Sequence, residues 1–145
     1  MKLIDVTTSN GDVAEMAWLV GAESVHRQLR TNLPPNYVMR MQQVFANGAR
    51  MLIAAEDEQV AGVALWRLVE NTYEGRRLYI DDLVTDESQR SKGVGKLLLQ
   101  QLEKHARDIG CDVLTLDSGV QRAGAHKFYF REGMHIALFS FRKSL

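Results

Sequence analysis

The chain has 145 residues, 46% of them hydrophobic and 25% charged, with 18 Lys+Arg against 18 Asp+Glu and so a formal net charge of zero. That describes one ordinary globular domain with enough chain to bury a core, and it excludes the basic excess of a dedicated nucleic-acid binder and any apolar run able to span a bilayer. Cys111 is the only cysteine, so no internal disulfide and no Cys/His metal site is expected; it reads as a buried thiol.

In chain order, Lys2–Val6 reads as a short first strand. This N-terminus alternates in polarity and does not resemble a signal peptide, so a cytoplasmic location is expected. Ser9, Asn10 and Asp12 offer turn and N-cap side chains. Val13, Met16, Ala17, Val20 and Val25 recur at helical spacing, which predicts a helix from Val13 to about Arg30. The segment NLPPN interrupts, and a second helix is predicted from Pro35 to Asn47, stopped by Gly48. RMLIAAE and VAGVALWRLV are apolar runs with β-branched and aromatic content, joined by the polar turn DEQ, and predict a β-hairpin. The turn NTYEG leads into a third strand of this group, RRLYIDDLVTD. A glycine loop and a Leu-rich helix closed by Gly110 follow. CDVLTLDS is a further strand, RAGAHKFYFREG a short helix ending at Gly133, and MHIALFSFRKSL a closing strand. The order β-αα-βββ-α-β-α-β joins an antiparallel meander to a strand–helix–strand crossover, so the expected class is α+β with a mixed, mostly antiparallel sheet flanked by helices in a single domain.

The loop QRSKGVG carries the most chemistry. It follows a strand and opens a helix whose Val94, Leu97, Leu98, Leu102 and Ile109 keep one face apolar. The first N–H groups of a helix have no partner inside it. Gly93 and Gly95 would let those groups approach a ligand closely, and the helix dipole favours an anion there. Arg90, Lys92 and Lys96 add full positive charge. The spacing is neither the dinucleotide fingerprint nor the nucleoside-triphosphate loop. A tight turn whose glycines only reverse the chain is the alternative.

The wider segment YIDDLVTDESQRSKGVGKLLLQQLE resembles motif A of the GNAT superfamily of N-acetyltransferases: an acidic residue or pair, Leu-x-Val, a short link, Gln/Arg-x-x-Gly-x-Gly/Ala and a Leu-rich helix. Downstream, AGAHKFYFREGM resembles its motif B. The resemblance covers about Met51 to the C-terminus, and the final stretch AHKFYFREGMHIALFSFRKSL resembles more loosely the bacterial aminoalkylphosphonate acetyltransferases. It implies an acetyl-coenzyme A-binding core over residues 51–145 and acceptor-side helices over 1–50. Acetyl-CoA would lie between the Leu78–Thr85 and Val113–Asp117 strands. Its pyrophosphate would be held by backbone N–H groups of Ser91, Lys92, Gly93, Val94, Gly95 and Lys96, with Arg90 opening the motif. Its pantetheine arm would pair with the backbone of Leu83, Val84 and Thr85, where the family often has Val in place of Thr85. Near the motif B residue Ala125, the family often has an Asn touching the cofactor; Arg122 stands there instead.

The resemblance also implies roles in the reaction. Tyr129 aligns with a tyrosine that serves as general acid for the leaving thiolate; the alternative is one more packed aromatic in FYF. Asp81 and Asp82 are the candidates to take the proton of the attacking amine or to bind it. Neighbouring strand residues point to opposite faces unless a bulge intervenes, so only one of the two is expected to face the cleft. Paired carboxylates favour a cationic acceptor. His26, on the first helix, is a further candidate base or substrate contact, whereas His126 and His135 read as surface histidines. Trp18, Trp66 and Tyr73 read as core or cleft wall, and Glu56, Asp57 and Glu58 as a solvated turn. The function implied is direct transfer of an acetyl group from acetyl-CoA to the amine of a small molecule, without an acyl-enzyme. A protein N-terminus or lysine as acceptor, or a non-catalytic CoA-thioester sensor, are the alternatives. A homodimer is expected from the exposed strands of such sheets.

Overall fold

A computed structural model describes all residues, 1–145. Its elements are β1 (Lys2–Asp5), α1 (Met16–Leu29), α2 (Tyr37–Ala46), β2 (Arg50–Glu56), β3 (Gln59–Asn71), β4 (Gly75–Thr85), a 3-10 turn (Glu87–Gln89), α3 (Val94–Asp108), β5 (Val113–Leu116) and α4 (Ala123–Arg131). The strands form one mixed five-stranded sheet in the order β1-β2-β3-β4-β5. The first four are antiparallel neighbours, and α3 links β4 to β5. The α+β class and the order of elements from the first strand to α4 agree with the sequence reading. Met1–Thr115 forms one compact unit and Leu116–Leu145 a second.

Element boundaries moved for identifiable reasons. Helix α1 starts at Met16, not Val13, because Val13 is held in a bridge to Thr7. Helix α2 starts after Asn36, whose side chain accepts the Met39 N–H at 3.1 Å. The Asn cap satisfies one of the first-turn donors that have no partner inside the helix. The β2–β3 hairpin closes through Asp57 and Glu58, both with positive φ (49° and 60°), opposite the pair Glu56 and Gln59. Two such residues are what the primed two-residue turn demands.

Residues Met134–Leu145 carry no strand, although their pattern reads as one. Ile136, Leu138, Phe139 and Phe141 are exposed. Strand propensity is realised only against a neighbouring strand, and an alternating pattern does not name that neighbour.

The core of the first unit lies between the sheet and α1–α2. It includes Leu19, Ala22, Val25, Tyr37, Met41, Phe45, Met51, Ile53, Val63 and Leu65. On the other face α3 packs through Val94, Leu98, Leu99, Leu102 and Ala106, all buried. Gly62 of β3 lies directly under the start of α3. A Cβ there would lie 2.7 Å from Val94 Cγ1 and 2.9 Å from Leu98 Cδ1.

Candidate active site

Strand β4 ends in the loop singled out from the sequence. After Thr85 the chain turns through Asp86, whose carboxylate is bound by the Ser88 hydroxyl and by Gln28 Nε2. These bonds hold its carboxyl below the ordinary range. Ser91 (φ 64°) and Gly93 (φ 82°) are both left-handed, and Gly93 is the N-cap of α3, with no side-chain cap. No main-chain N–H from Arg90 to Lys96 donates to a main-chain acceptor; the first to do so is Leu97, to Gly93 O at 2.9 Å. Arg90, Ser91, Lys92, Gly93 and Lys96 are exposed. The structure thus presents a run of unpaired donors at a helix N-terminus, ringed by three cationic side chains. Oxyanion binding is what such a run can do.

The end of β4 before the loop has an open edge. The Asp112 N–H donates to Arg76 O at 2.6 Å, and the Arg76 N–H to Asp112 Oδ2 at 2.9 Å. Strand β5 therefore begins beside the start of β4 and, being four residues long, runs out before Leu83. On its other edge β4 stays paired, with Leu83 opposite Ala64, Val84 opposite Val63 and Thr85 opposite Gly62. Leu83–Thr85 accordingly offers one unpaired ladder edge, to which an extended amide-bearing chain can add as a strand does.

The two aspartates lie at an irregularity. Asp82 is opposite Leu65 and Ile80 is opposite Trp66, so Asp81 is an extra residue without a partner. This bulge changes the expected alternation. Residues directly opposite in a ladder share a face. Leu65 belongs to the α1–α2 core, so Asp82 faces those helices. Trp66 faces α3, where its ring meets His105 edge-on at 4.9 Å. Asp81 turns to the α1–α2 side as well: its Oδ2 accepts from Arg67 Nε at 2.9 Å and Nη2 at 2.7 Å, and Arg67 also donates to Asn47 O after α2. Both carboxylates face one side, contrary to the expectation that only one would.

Neither carboxylate is free. Asp82 is buried. Its Oδ2 lies 2.6 Å from His26 Nε2, and its Oδ1 accepts from Arg30 Nε at 2.6 Å. Burial by itself raises the Asp82 carboxyl, but the bonds from His26 and Arg30 outweigh it and hold the group below the ordinary carboxylate range. An ionised carboxylate only accepts, so His26 Nε2 carries a proton. In the neutral ring, Nδ1 then accepts from the Tyr37 hydroxyl, 2.8 Å away. Burial pushes the Tyr37 hydroxyl far above its usual value, which keeps it a donor. His26 and Tyr37 are both almost fully buried. Sequence reasoning flagged His26 alone of its partners. Tyr37, Arg30 and Arg67 carried no local signal, because their roles depend on contacts to residues far along the chain.

In the second unit, Arg122 is the N-cap of α4, and Ala125 and Tyr129 lie on that helix. Burial raises the Tyr129 hydroxyl, and the Arg122 charge opposes this. A phenol so shifted holds its proton at neutral pH. Its ring packs on Phe128 at 5.4 Å. His126 Nε2 lies 2.8 Å from Gly119 O, a local contact. Cys111 is partly buried, and burial raises its thiol, so it is not an activated nucleophile.

Comparison with known proteins gives the family and the fold. The sequence model of the Acetyltransferase (GNAT) family matches residues 16–134. The uncharacterized N-acetyltransferase YhdJ of Bacillus subtilis (strain 168) is 35% identical over 119 residues, covering 80% of this chain and 84% of that protein. The aminoalkylphosphonate N-acetyltransferase of Salmonella typhimurium is 36% identical over 66 residues, 46% of this chain and 43% of that protein. An aminoglycoside acetyltransferase from an uncultured soil metagenomic sample, solved with trehalose, shares the fold at a TM-score of 0.81 with 17% identity, covering 99% of this chain and 95% of that one. No helix is long and apolar enough to cross a membrane. The chain belongs to the GNAT family and is an N-acetyltransferase.

Proposed function

We propose that the protein transfers an acetyl group from acetyl-CoA directly to the amine of a small molecule, as a single catalytic domain with acceptor-side helices over 1–50 and a coenzyme core over 51–145. The observation that carries this reading is the run of unpaired N–H groups from Arg90 to Lys96, which follows the open edge of Leu83–Thr85 after one short turn. A pyrophosphate needs several convergent donors with compensating positive charge, and the loop supplies both. A pantetheine arm carries two amides, which an unpaired strand edge can satisfy. Arg90, Lys92 and Lys96 would neutralise phosphate charge at the rim.

In this reading Tyr129 donates a proton to the departing thiolate. A protonated thiol is the better leaving group, and a phenol held neutral by burial is suited to give it. Arg122 and Ala125 contribute to the coenzyme side of that helix. The amine loses its proton to Asp81 or Asp82, directly or through water. Both carboxylates lie at one bulge, and Asp81 is the less buried of the two. A small-molecule acceptor is favoured by the curated relative that acts on aminoalkylphosphonates. The test is thermal unfolding with and without acetyl-CoA, followed by thiol release over an amine panel. A ligand that binds only the folded state raises the midpoint. A rise with thiol release supports the reading. A rise without release on any amine supports a sensor domain instead. No rise at saturating ligand overturns the assignment of the loop.

A further inference from the structure

We infer that Arg30 is an acceptor-binding residue and that the acceptor is a small amine carrying an oxyanion group: a carboxylate, phosphate or phosphonate. This rests on the reading of the chain as an acetyl-CoA-dependent amine acetyltransferase. The opposite inference, a cationic acceptor, would follow from two bare carboxylates, and the structure has none at the bulge. Asp81 is compensated by Arg67, and Asp82 by Arg30 and His26.

What matters is which partner of each pair faces outward. The Asp82 side chain is 8% exposed and that of Arg30 is 51%. Asp81 is 19% exposed and Arg67 28%. The Asp82 carboxylate is turned inward and the Arg30 guanidinium outward, whereas the Asp81–Arg67 pair is part-buried on both sides. A ligand approaching the bulge meets positive charge first, although the cluster is near neutral overall.

Arg30 is also the less saturated of the two arginines. Arg67 uses Nε and Nη2 on Asp81 and Nη1 on Asn47 O. Arg30 uses Nε and Nη2 on Asp82 Oδ1, at 2.6 and 2.5 Å, and Nη2 also on Asp81 O at 3.0 Å, while Nη1 has no partner in the chain. Nη1, with two N–H donors, remains available to the oxygens of an anion.

The free Nη1 donors are held in place before any ligand arrives. Arg30 is the C-cap residue of α1, and its guanidinium is fixed by Asp82, which is fixed by His26, which is fixed by Tyr37. Tyr37 and His26 are 2% and 1% exposed. The chain of bonds therefore ends in the core rather than in solvent, and it suits positioning rather than proton transport. Pre-organised donors spend less entropy on binding. The bonded Asp81 carbonyl lies two residues before Leu83, about 7 Å along a strand. An acceptor spanning from Arg30 to a thioester at that edge would be a short molecule, with amine and anion a few bonds apart.

The test compares matched acceptors at saturating acetyl-CoA: 3-aminopropanoate against 3-aminopropanol, and 2-aminoethyl phosphate against ethanolamine. The wild-type protein is expected to favour the anionic member of at least one pair by roughly 10- to 100-fold in kcat/KM, the range of charge-assisted hydrogen bonding to one anion. In Arg30→Met that ratio should fall toward one, mainly through KM. Arg30→Lys keeps the charge and loses the fixed Nη1 donors, so it should retain only part of the preference; it also covers the case in which Arg30→Met folds poorly. His26→Gln should erode the ratio without touching the ligand. A wild-type protein that treats both members alike, prefers the neutral or a dicationic amine, or loses both equally in Arg30→Lys overturns the proposal. Acetyl-CoA binding without turnover of any anionic amine also overturns it. Absence of any acetyl-CoA thermal shift is instead the failure of the underlying acetyltransfer reading.

Discussion

Gly62→Ala tests how tightly the site depends on the seating of α3. Gly62 has no unusual backbone angle, so an alanine costs nothing in conformation and by itself gains about 0.4–1 kcal/mol through the unfolded chain. The added methyl, however, meets Val94 Cγ1 at 2.7 Å, Leu98 Cδ1 at 2.9 Å and the main-chain Val84 O at 3.2 Å. The two methyl tips can yield only by shifting the helix, because Leu98 is fully buried and Val94 nearly so. Overpacking of this kind costs about 1–3 kcal/mol. The net is a loss of about 0.5–2 kcal/mol, or roughly 2–6 °C in Tm for a chain of this size. Val94 is the first residue of α3, so the same shift displaces the loop donors, and the midpoint rise given by acetyl-CoA should shrink as well. Scanning calorimetry with and without acetyl-CoA reads both. A Tm equal to or above that of the wild type would refute the argument that Gly62 is where the helix is set against the sheet.

Gly93→Val with Gly95→Val should abolish the acetyl-CoA midpoint shift, because a β-branched residue is strained at the φ of 82° that Gly93 adopts; unchanged affinity in a folded double variant removes the loop from the site. Tyr129→Phe should lower kcat by about 10²-fold or more while leaving the acetyl-CoA midpoint shift in place; unchanged turnover would return Tyr129 to a packing role. Asp82 sets a pH dependence of stability. Its folded carboxyl lies below the unfolded value of about 3.9, so its contribution is complete above that value and is lost as pH falls through the lower folded one. The acid limb of stability in wild type should therefore be steeper than in Asp82→Asn, and equal limbs would contradict the pairing. Light scattering should return the mass of a homodimer; a monomer at working concentration excludes it.

The sequence by itself determined the local elements and the loop. Helix α3, its glycine entry and the strand before it are written in spacing: apolar positions at Val94, Leu98 and Leu102, and glycines where the chain must take positive φ. Such signals survive without knowledge of the rest of the fold, because they are set by neighbours within a turn or two. The tertiary structure alone decided the character of the acceptor side. Two adjacent aspartates read as opposite-facing until the bulge at Asp81 turned both to one side. They read as open carboxylates until Arg67, 14 residues away, and His26 and Arg30, 56 and 52 residues away, were found bonded to them. Likewise the alternation of Met134–Leu145 predicted a strand but could not supply a ladder. Periodicity records what one segment wants to bury, whereas register and ion pairing are properties of two segments, and they exist only once the chain has brought those segments together.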